Sequence, residues 1–176
     1  INTPFSILKT LETEEIEEKK YFTKTELEKI YFPVHNIKTT TDSEQKINNV
    51  FIIILESFSK EYIGALSEKK TYTPFLDSLI NESLVFEHAY ANGKKSLEGI
   101  PAIEASVPAL MNESFITSAY GSNEINSLAG VLKKNNFSAS FFHGGTNGTM
   151  GFNDFCRVAG YDAYFGKTEY NNEKDY

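Results

Sequence analysis

Asn49-Val50-Phe51-Ile52-Ile53-Ile54-Leu55-Glu56-Ser57-Phe58 decides the fold class. Residues 50–55 are apolar and rich in β-branched side chains. No polar residue alternates with them, so the run reads as a strand buried on both faces, as in a parallel sheet. It ends on a carboxylate. In open α/β sheets ligands bind at the carboxyl ends of the strands, so Glu56 stands where a metal ligand or acid–base group is expected. The plain alternative is a helix cap or a solvated loop carboxylate.

Working outward, Thr73-Pro74 predicts an N-cap followed by proline at the first helical position. Phe75, Leu76, Leu79 and Ile80 follow at helical spacing. Val85-Phe86-Glu87-His88-Ala89-Tyr90 alternates and predicts a second strand. Residues 96–106 predict a helix that tolerates or kinks at Pro101. Ile125, Leu128, Ala129, Val131 and Leu132 predict an amphipathic helix ending at Asn135-Asn136. Residues 137–142 read as a third strand, and Gly144, Gly145, Gly148 and Gly151 as a glycine-rich loop. A short helix over 152–159 and a final strand over 161–165 complete the pattern. Strand and helix alternate, so the class is α/β, a mainly parallel sheet with flanking helices. Three or four strands make that sheet incomplete.

Before the first strand the composition changes. Residues 12–29 are dense in Glu and Lys, the pattern of a solvated face or linker. Thr23 with Glu26 forms a capping-box signature for a helix over 24–30. Tyr31-Phe32-Pro33 ends it, because the residue before proline disfavours the α region. Thr39-Thr40-Thr41-Asp42-Ser43 is a polar linker. The division is therefore 1–46 as a linker segment and 47–176 as the compact domain.

The 176 residues permit one domain with a core, and 40% hydrophobic with 14% aromatic residues is a globular composition. A net charge of −7 without a basic patch argues against nucleic acid as a partner. Cys156 stands alone, so no intrachain disulfide forms. Ile1 to Thr10 lacks the basic and apolar regions of a signal peptide. No run reaches the roughly 20 apolar residues of a membrane span. The absence of an initial Met fits a piece of a longer protein.

The second cluster of interest is Asn92-Gly93-Lys94-Lys95-Ser96-Leu97-Glu98-Gly99-Ile100-Pro101-Ala102. Ser96 opens the predicted helix. It reads as a plain N-cap, or as a nucleophile whose pKa is lowered by a metal and the helix N-terminus. A nucleophile elbow needs glycine two residues before the serine, where Lys94 stands. A P-loop needs a glycine where His88 stands. His143 ends the third strand beside Gly144-Gly145, a context that leaves it accessible to a substrate. His35 and His88 have no such context. HExxH and CxxC motifs are absent, so the residues alone give an incomplete metal site.

With these residues in place, the chain resembles the first part of the catalytic domain of lipoteichoic acid synthase-type enzymes. These are the sulfatase-like branch of the alkaline phosphatase superfamily. The resemblance rests on residues 49–58, Thr73-Pro74-Phe75-Leu76, residues 91–101, and Phe141-Phe142-His143-Gly144 through Met150-Gly151-Phe152. Asn2-Thr3-Pro4-Phe5 also resembles the segment that joins such domains to their membrane helices. The resemblance implies that Glu56 is a metal ligand and that Ser96 is the nucleophile and touches the metal. His143 would face the substrate, with Asn92 and Lys95 as phosphate contacts beside Ser96. It also implies a divalent cation, manganese by preference, with zinc or magnesium as substitutes.

The activity implied is transfer of a phosphoglycerol or phosphoethanolamine group from a phosphodiester lipid head group through a covalent phospho-enzyme. A hydrolase of phosphate or sulfate esters is the alternative within the superfamily. A non-catalytic remnant or binding module is the alternative outside it. True sulfatases carry Cys/Ser-x-Pro-x-Arg, whereas Ser96 is followed by Leu97-Glu98-Gly99-Ile100. The family's later ligands, an Asp-His pair and further histidines, are not met by Tyr176. The expectations are therefore a membrane-anchored bacterial envelope enzyme with its catalytic domain outside the cytoplasm, and an incomplete metal site. Glu56 and Ser96 are expected within bridging range of one metal. The chain alone is expected to be inactive and to self-associate through an open sheet edge.

Overall fold

The computed structural model describes Pro4, Leu8 and residues 16–32, 49–68, 70 and 72–171. His35, the linker at 39–43, the domain start at Ile47 and all of the Asn2–Phe5 segment but Pro4 lie outside the described residues. The chain divides into two compact units, Glu17–Ser83 and a second unit of Ile1–Ile16 with Leu84–Tyr176.

In the first unit, helix α1 spans Lys24–Ile30 and carries the expected capping box. Glu26 Oε2 accepts from the Thr23 backbone N–H at 2.8 Å, and Thr23 Oγ1 accepts from the Glu26 N–H at 3.3 Å. The Thr23 hydroxyl also donates to Glu26 Oε2 at 2.7 Å, and this bond, then the one from the Thr23 backbone N–H, holds the Glu26 carboxyl below its ordinary range. Two 3-10 turns follow at Lys60–Tyr62 and Gly64–Leu66. Helix α2, Pro74–Ile80, begins on the predicted proline. Asp77 Oδ1 accepts from the Ala65 N–H at 3.0 Å, which ties α2 to the second turn. None of the described residues of this unit is buried.

The central expectation for this unit fails. Residues 49–55 form neither strand nor helix. Their side chains are exposed, from 43% at Ile54 to 86% at Phe51. Exposure is 47% at Val50, 44% at Ile52 and 43% at Ile54, but 86% at Phe51 and 80% at Ile53. The segment thus has two unlike faces, yet among the described residues no backbone hydrogen-bonding partner pairs with it. Apolar β-branched composition supplies strand propensity, but a strand exists only where a neighbour completes the ladder. Glu56 accordingly follows a coil segment here and not a buried strand.

In the second unit, residues 85–90 are likewise not a strand; a turn covers Glu87 and His88. Helix α3 spans Ser96–Ala105 with Pro101 inside it. Pro101 sits within the first two turns, where the carbonyl it blocks lies at the helix start. Helix α4, Leu128–Lys133, is shorter than its apolar pattern. It starts where the Ser127 hydroxyl accepts from the Gly130 N–H, at 2.9 Å, and donates to the Ala159 carbonyl. Strand β1, Ser140–Phe142, leads through the glycine-rich loop and a 3-10 turn to helix α5, Phe152–Val158. Strand β2, Ala163–Phe165, returns parallel to β1 with Ser140 opposite Ala163 and Phe142 opposite Phe165. Helix α6, Lys167–Tyr170, follows.

The core of this unit is Ile100, Phe152, Phe155 and Ala159, flanked by Leu97, Phe115, Ile116, Ile125, Phe141, Tyr161 and Tyr164. Phe152 and Phe155 are each 1% exposed. The cluster sits where α3, α5 and the β1–β2 pair meet, so it fixes the two segments that carry Ser96 and His143. The architecture is α/β, a small parallel sheet with flanking helices. Among the described residues no helix is long and apolar enough to cross a membrane.

Candidate functional site

The loop before α3 is built around glycine and carboxylate contacts. Asn92 Oδ1 accepts from the Ala109 N–H at 2.9 Å, fastening the loop to the chain beyond the helix. Gly93 lies directly on Glu98, and a Cβ at Gly93 would overlap the Glu98 Cβ. Glu98 Oε2 accepts from the Lys94 N–H at 2.7 Å. The Glu98 carboxylate, in the first turn of α3, therefore holds the approach to Ser96 in one conformation. Lys95 is the N-cap and Ser96 the first helical residue, half-buried. Its hydroxyl lies at the end of a ten-residue helix where N–H groups point outward and favour negative charge on an adjacent oxygen. Asn92, Lys95 and Ser96 thus share one loop, with the Asn92 carbonyl already used in holding it.

His143 follows β1, as expected. Its backbone N–H donates to the Phe165 carbonyl at 2.9 Å, extending the β1–β2 pairing by one bond. The ring stands edge-on to Phe152, with centroids 5.0 Å apart and planes at 85°. Nδ1 lies 3.0 Å from the Tyr164 hydroxyl. A Cβ on Gly145 would come within 2.6 Å of the ring carbon Cε1, so glycine is required for the loop to pass this closely. Beyond the ring, Asn147 donates to both Glu169 carboxyl oxygens at 2.9 Å and accepts from the Thr168 N–H at 3.2 Å. The Asn147 bond, with one from the Gly166 N–H, keeps the Glu169 carboxyl below its ordinary range. The glycine-rich loop is thereby pinned to α6.

Leu97, next to Ser96, and Phe141 and Tyr164, beside His143, all pack on the same core cluster. Two further groups lie behind it. Glu104, 4% exposed on α3, accepts from the Tyr161 hydroxyl at 2.6 Å. Burial, then Glu104, pushes the Tyr161 phenol far above its ordinary range. Burial likewise pushes the Cys156 thiol up to about 12.

Glu56 belongs to the other unit. Its Oε1 accepts from the Ser57 hydroxyl at 3.3 Å, and Ser57 has the left-handed φ of 52°. Among the described residues no group of three or more His, Cys, Asp or Glu side chains is placed to hold a metal ion. The Glu56 carboxylate in one unit and the Ser96 hydroxyl in the other are each a hard oxygen donor of the kind manganese or magnesium takes, and neither unit by itself supplies, among the described residues, the donor set of a catalytic cation.

Sequence reasoning missed Glu98, Tyr164 and Glu104. Glu98 was readable, since it stands three residues after the N-cap Lys95, the position of a capping carboxylate. Nothing in the sequence pairs Tyr164 with His143 or Tyr161 with Glu104, which are 21 and 57 residues apart.

The sulfatase family model matches residues 48–176. Lipoteichoic acid synthase 2 of Bacillus subtilis is 28% identical over 137 residues, covering 73% of this chain and 21% of that protein. The chain thus spans about a fifth of that relative's length. A solved alkaline phosphatase superfamily protein from Vibrio parahaemolyticus superposes with a TM-score of 0.60 at 25% identity, over 66% of this chain and 28% of that one. The lipoteichoic acid synthase LtaP from Listeria monocytogenes gives 0.55 at 22% identity, over 59% and 26%. It supports the fold. The chain belongs to the sulfatase family, and its fold is that of the alkaline phosphatase superfamily.

Proposed function

We propose that this chain is part of a metal-dependent transferase that moves a phosphoglycerol or phosphoethanolamine group from a phosphodiester lipid head group, with Ser96 as nucleophile. The observation that carries the reading is the 28% identity to a lipoteichoic acid synthase over 137 residues. It is supported by the placement of Ser96 on the first turn of α3 behind a loop fixed by Asn92 and Glu98.

In this reading the Ser96 oxygen attacks phosphorus, a P–O bond to Ser96 forms, and the P–O bond to the lipid alcohol breaks. The alcohol leaves with a proton, and a sugar or glycerol hydroxyl then displaces Ser96. Glu56 and Ser96 would hold a divalent cation together with donors from other residues. When bound, the cation would lower the hydroxyl pKa and offset charge on the phosphoryl oxygens. Asn92, Lys95 and His143 would contact the phosphoryl group. The whole protein is proposed to sit in a bacterial membrane with this domain on the extracytoplasmic side. Hydrolysis of phosphate or sulfate esters is the second reading, favoured by the sulfatase model.

The test is turnover of phosphatidylglycerol by the full-length protein with Mn²⁺. Ser96→Ala is expected to lower it at least ~1000-fold, while Ser96→Thr keeps a measurable rate. Undiminished turnover by Ser96→Ala refutes the assignment. Release of product to water alone selects the hydrolase reading.

A further inference from the structure

The reading above uses His143 but gives no part to the Tyr164 hydroxyl that its ring meets. The His143 ring makes one hydrogen bond among the described residues, from or to the Tyr164 hydroxyl at 3.0 Å on Nδ1. Three surfaces fix the ring. Phe152 meets it edge-on, Gly145 lies against Cε1, and the backbone N–H is tied to Phe165. Tyr164 is fixed in turn, stacked on Phe141 at 5.9 Å and 9° and held in β2 opposite Phe141. A ring held this way cannot flip its two nitrogens without breaking the tyrosine bond.

A neutral imidazole carries one N–H, and the bond at one nitrogen decides which nitrogen holds it. A phenol is the more acidic donor and a bare ring nitrogen the better acceptor. Burial, with Cys156 and Glu169, raises the Tyr164 phenol above its ordinary range, so it keeps its proton to give. We propose that Tyr164 is a positioning residue that donates to His143 Nδ1, holds the ring as the Nε2–H tautomer, and so aims an N–H donor at an anionic ester oxygen of the substrate. The inference rests on the substrate-side role of His143. A metal or a hydrogen-bond donor at Nε2 would need the opposite tautomer, with Nδ1–H donating to an acceptor such as a carbonyl or carboxylate.

The test reads the tautomer directly and needs no substrate. The chain is labelled with ¹⁵N-histidine, and the His143 signals are assigned by their loss in His143→Gln. Long-range ¹H–¹⁵N spectra are recorded above the histidine titration range. The expected result is a pyridine-type Nδ1 and a pyrrole-type Nε2. In Tyr164→Phe the Nδ1 signal moves toward that of a nitrogen without a hydrogen bond, while His88 stays in place. A pyrrole-type Nδ1 in the unmodified chain overturns the proposal, as does an unmoved Nδ1 in a folded Tyr164→Phe. In full-length protein, Tyr164→Phe is expected to lower kcat/KM about 10-fold. Should Ser96→Ala leave turnover intact, the transferase reading fails while the tautomer result stands.

Discussion

Replacing Tyr161 by phenylalanine removes one oxygen and leaves the ring. The hydroxyl donates at 2.6 Å to Glu104, a side chain 4% exposed on the helix that begins with Ser96. Without it, a buried carboxyl oxygen loses its partner in a place water does not reach. Such a loss costs about 1–3 kcal/mol, with bonds to charged groups at the upper end. The ring keeps its edge-on contact with Phe141 at 5.5 Å and 83°, so no packing cost is added. Tyr161→Phe should therefore lose about 2–3 kcal/mol. Urea unfolding of the chain, with the midpoint shifting and the slope unchanged, measures it. Tyr161→Phe combined with Glu104→Met should be less destabilised than the two single variants summed, with a coupling of about 1–2 kcal/mol. Additivity, or a Tyr161→Phe loss below about 0.5 kcal/mol, would mean the bond does not hold α3 in place.

Gly93→Ala is expected to cost about 1–3 kcal/mol, because the new methyl overlaps Glu98 and must push the loop or the helix aside; chemical unfolding checks it, and an unchanged midpoint contradicts the close approach. Alkaline pH should destabilise the second unit through Cys156. Its thiol ordinarily ionises near 9.0 and is pushed to about 12 in the fold, so above pH 9 the unfolded chain sheds a proton that the folded one keeps. Stability is full below that point and falls as pH rises toward 12. Cys156→Ala should flatten the fall between pH 9 and 10.5 in urea titrations, and an identical slope would refute the cause.

Local signals were legible where their partners are local. Thr23 with Glu26 and Thr73 with Pro74 are complete instructions within one turn, and both helices begin where these residues stand. The loop around Ser96 was half legible: Asn92, Lys95 and Ser96 do share it, but the Asn92 oxygen is bound to a backbone 17 residues on. The run at 50–55 shows the opposite case. Its composition states what kind of neighbour it wants and nothing about whether one is there. The same limit hid Tyr164, since a tyrosine in a short strand carries no mark of the histidine it faces.

The β1–β2 pair has a consequence for the order of assembly. Its strands are 23 residues apart, Ser140 to Ala163, and the segment between them is itself helical. Asp162 closes the same loop twice. Its N–H donates to the Ala139 carbonyl at 2.8 Å, and its carboxylate accepts from the Ala139 N–H at 2.8 Å while meeting Lys133 at 2.7 Å. By contrast, Tyr161 reaches Glu104 across 57 residues. Closing the longer loop costs about 0.8 kcal/mol more in chain entropy. Loop closure alone therefore favours the stretch from α4 to β2 condensing first, with the helix bearing Ser96 expected to dock onto it afterwards.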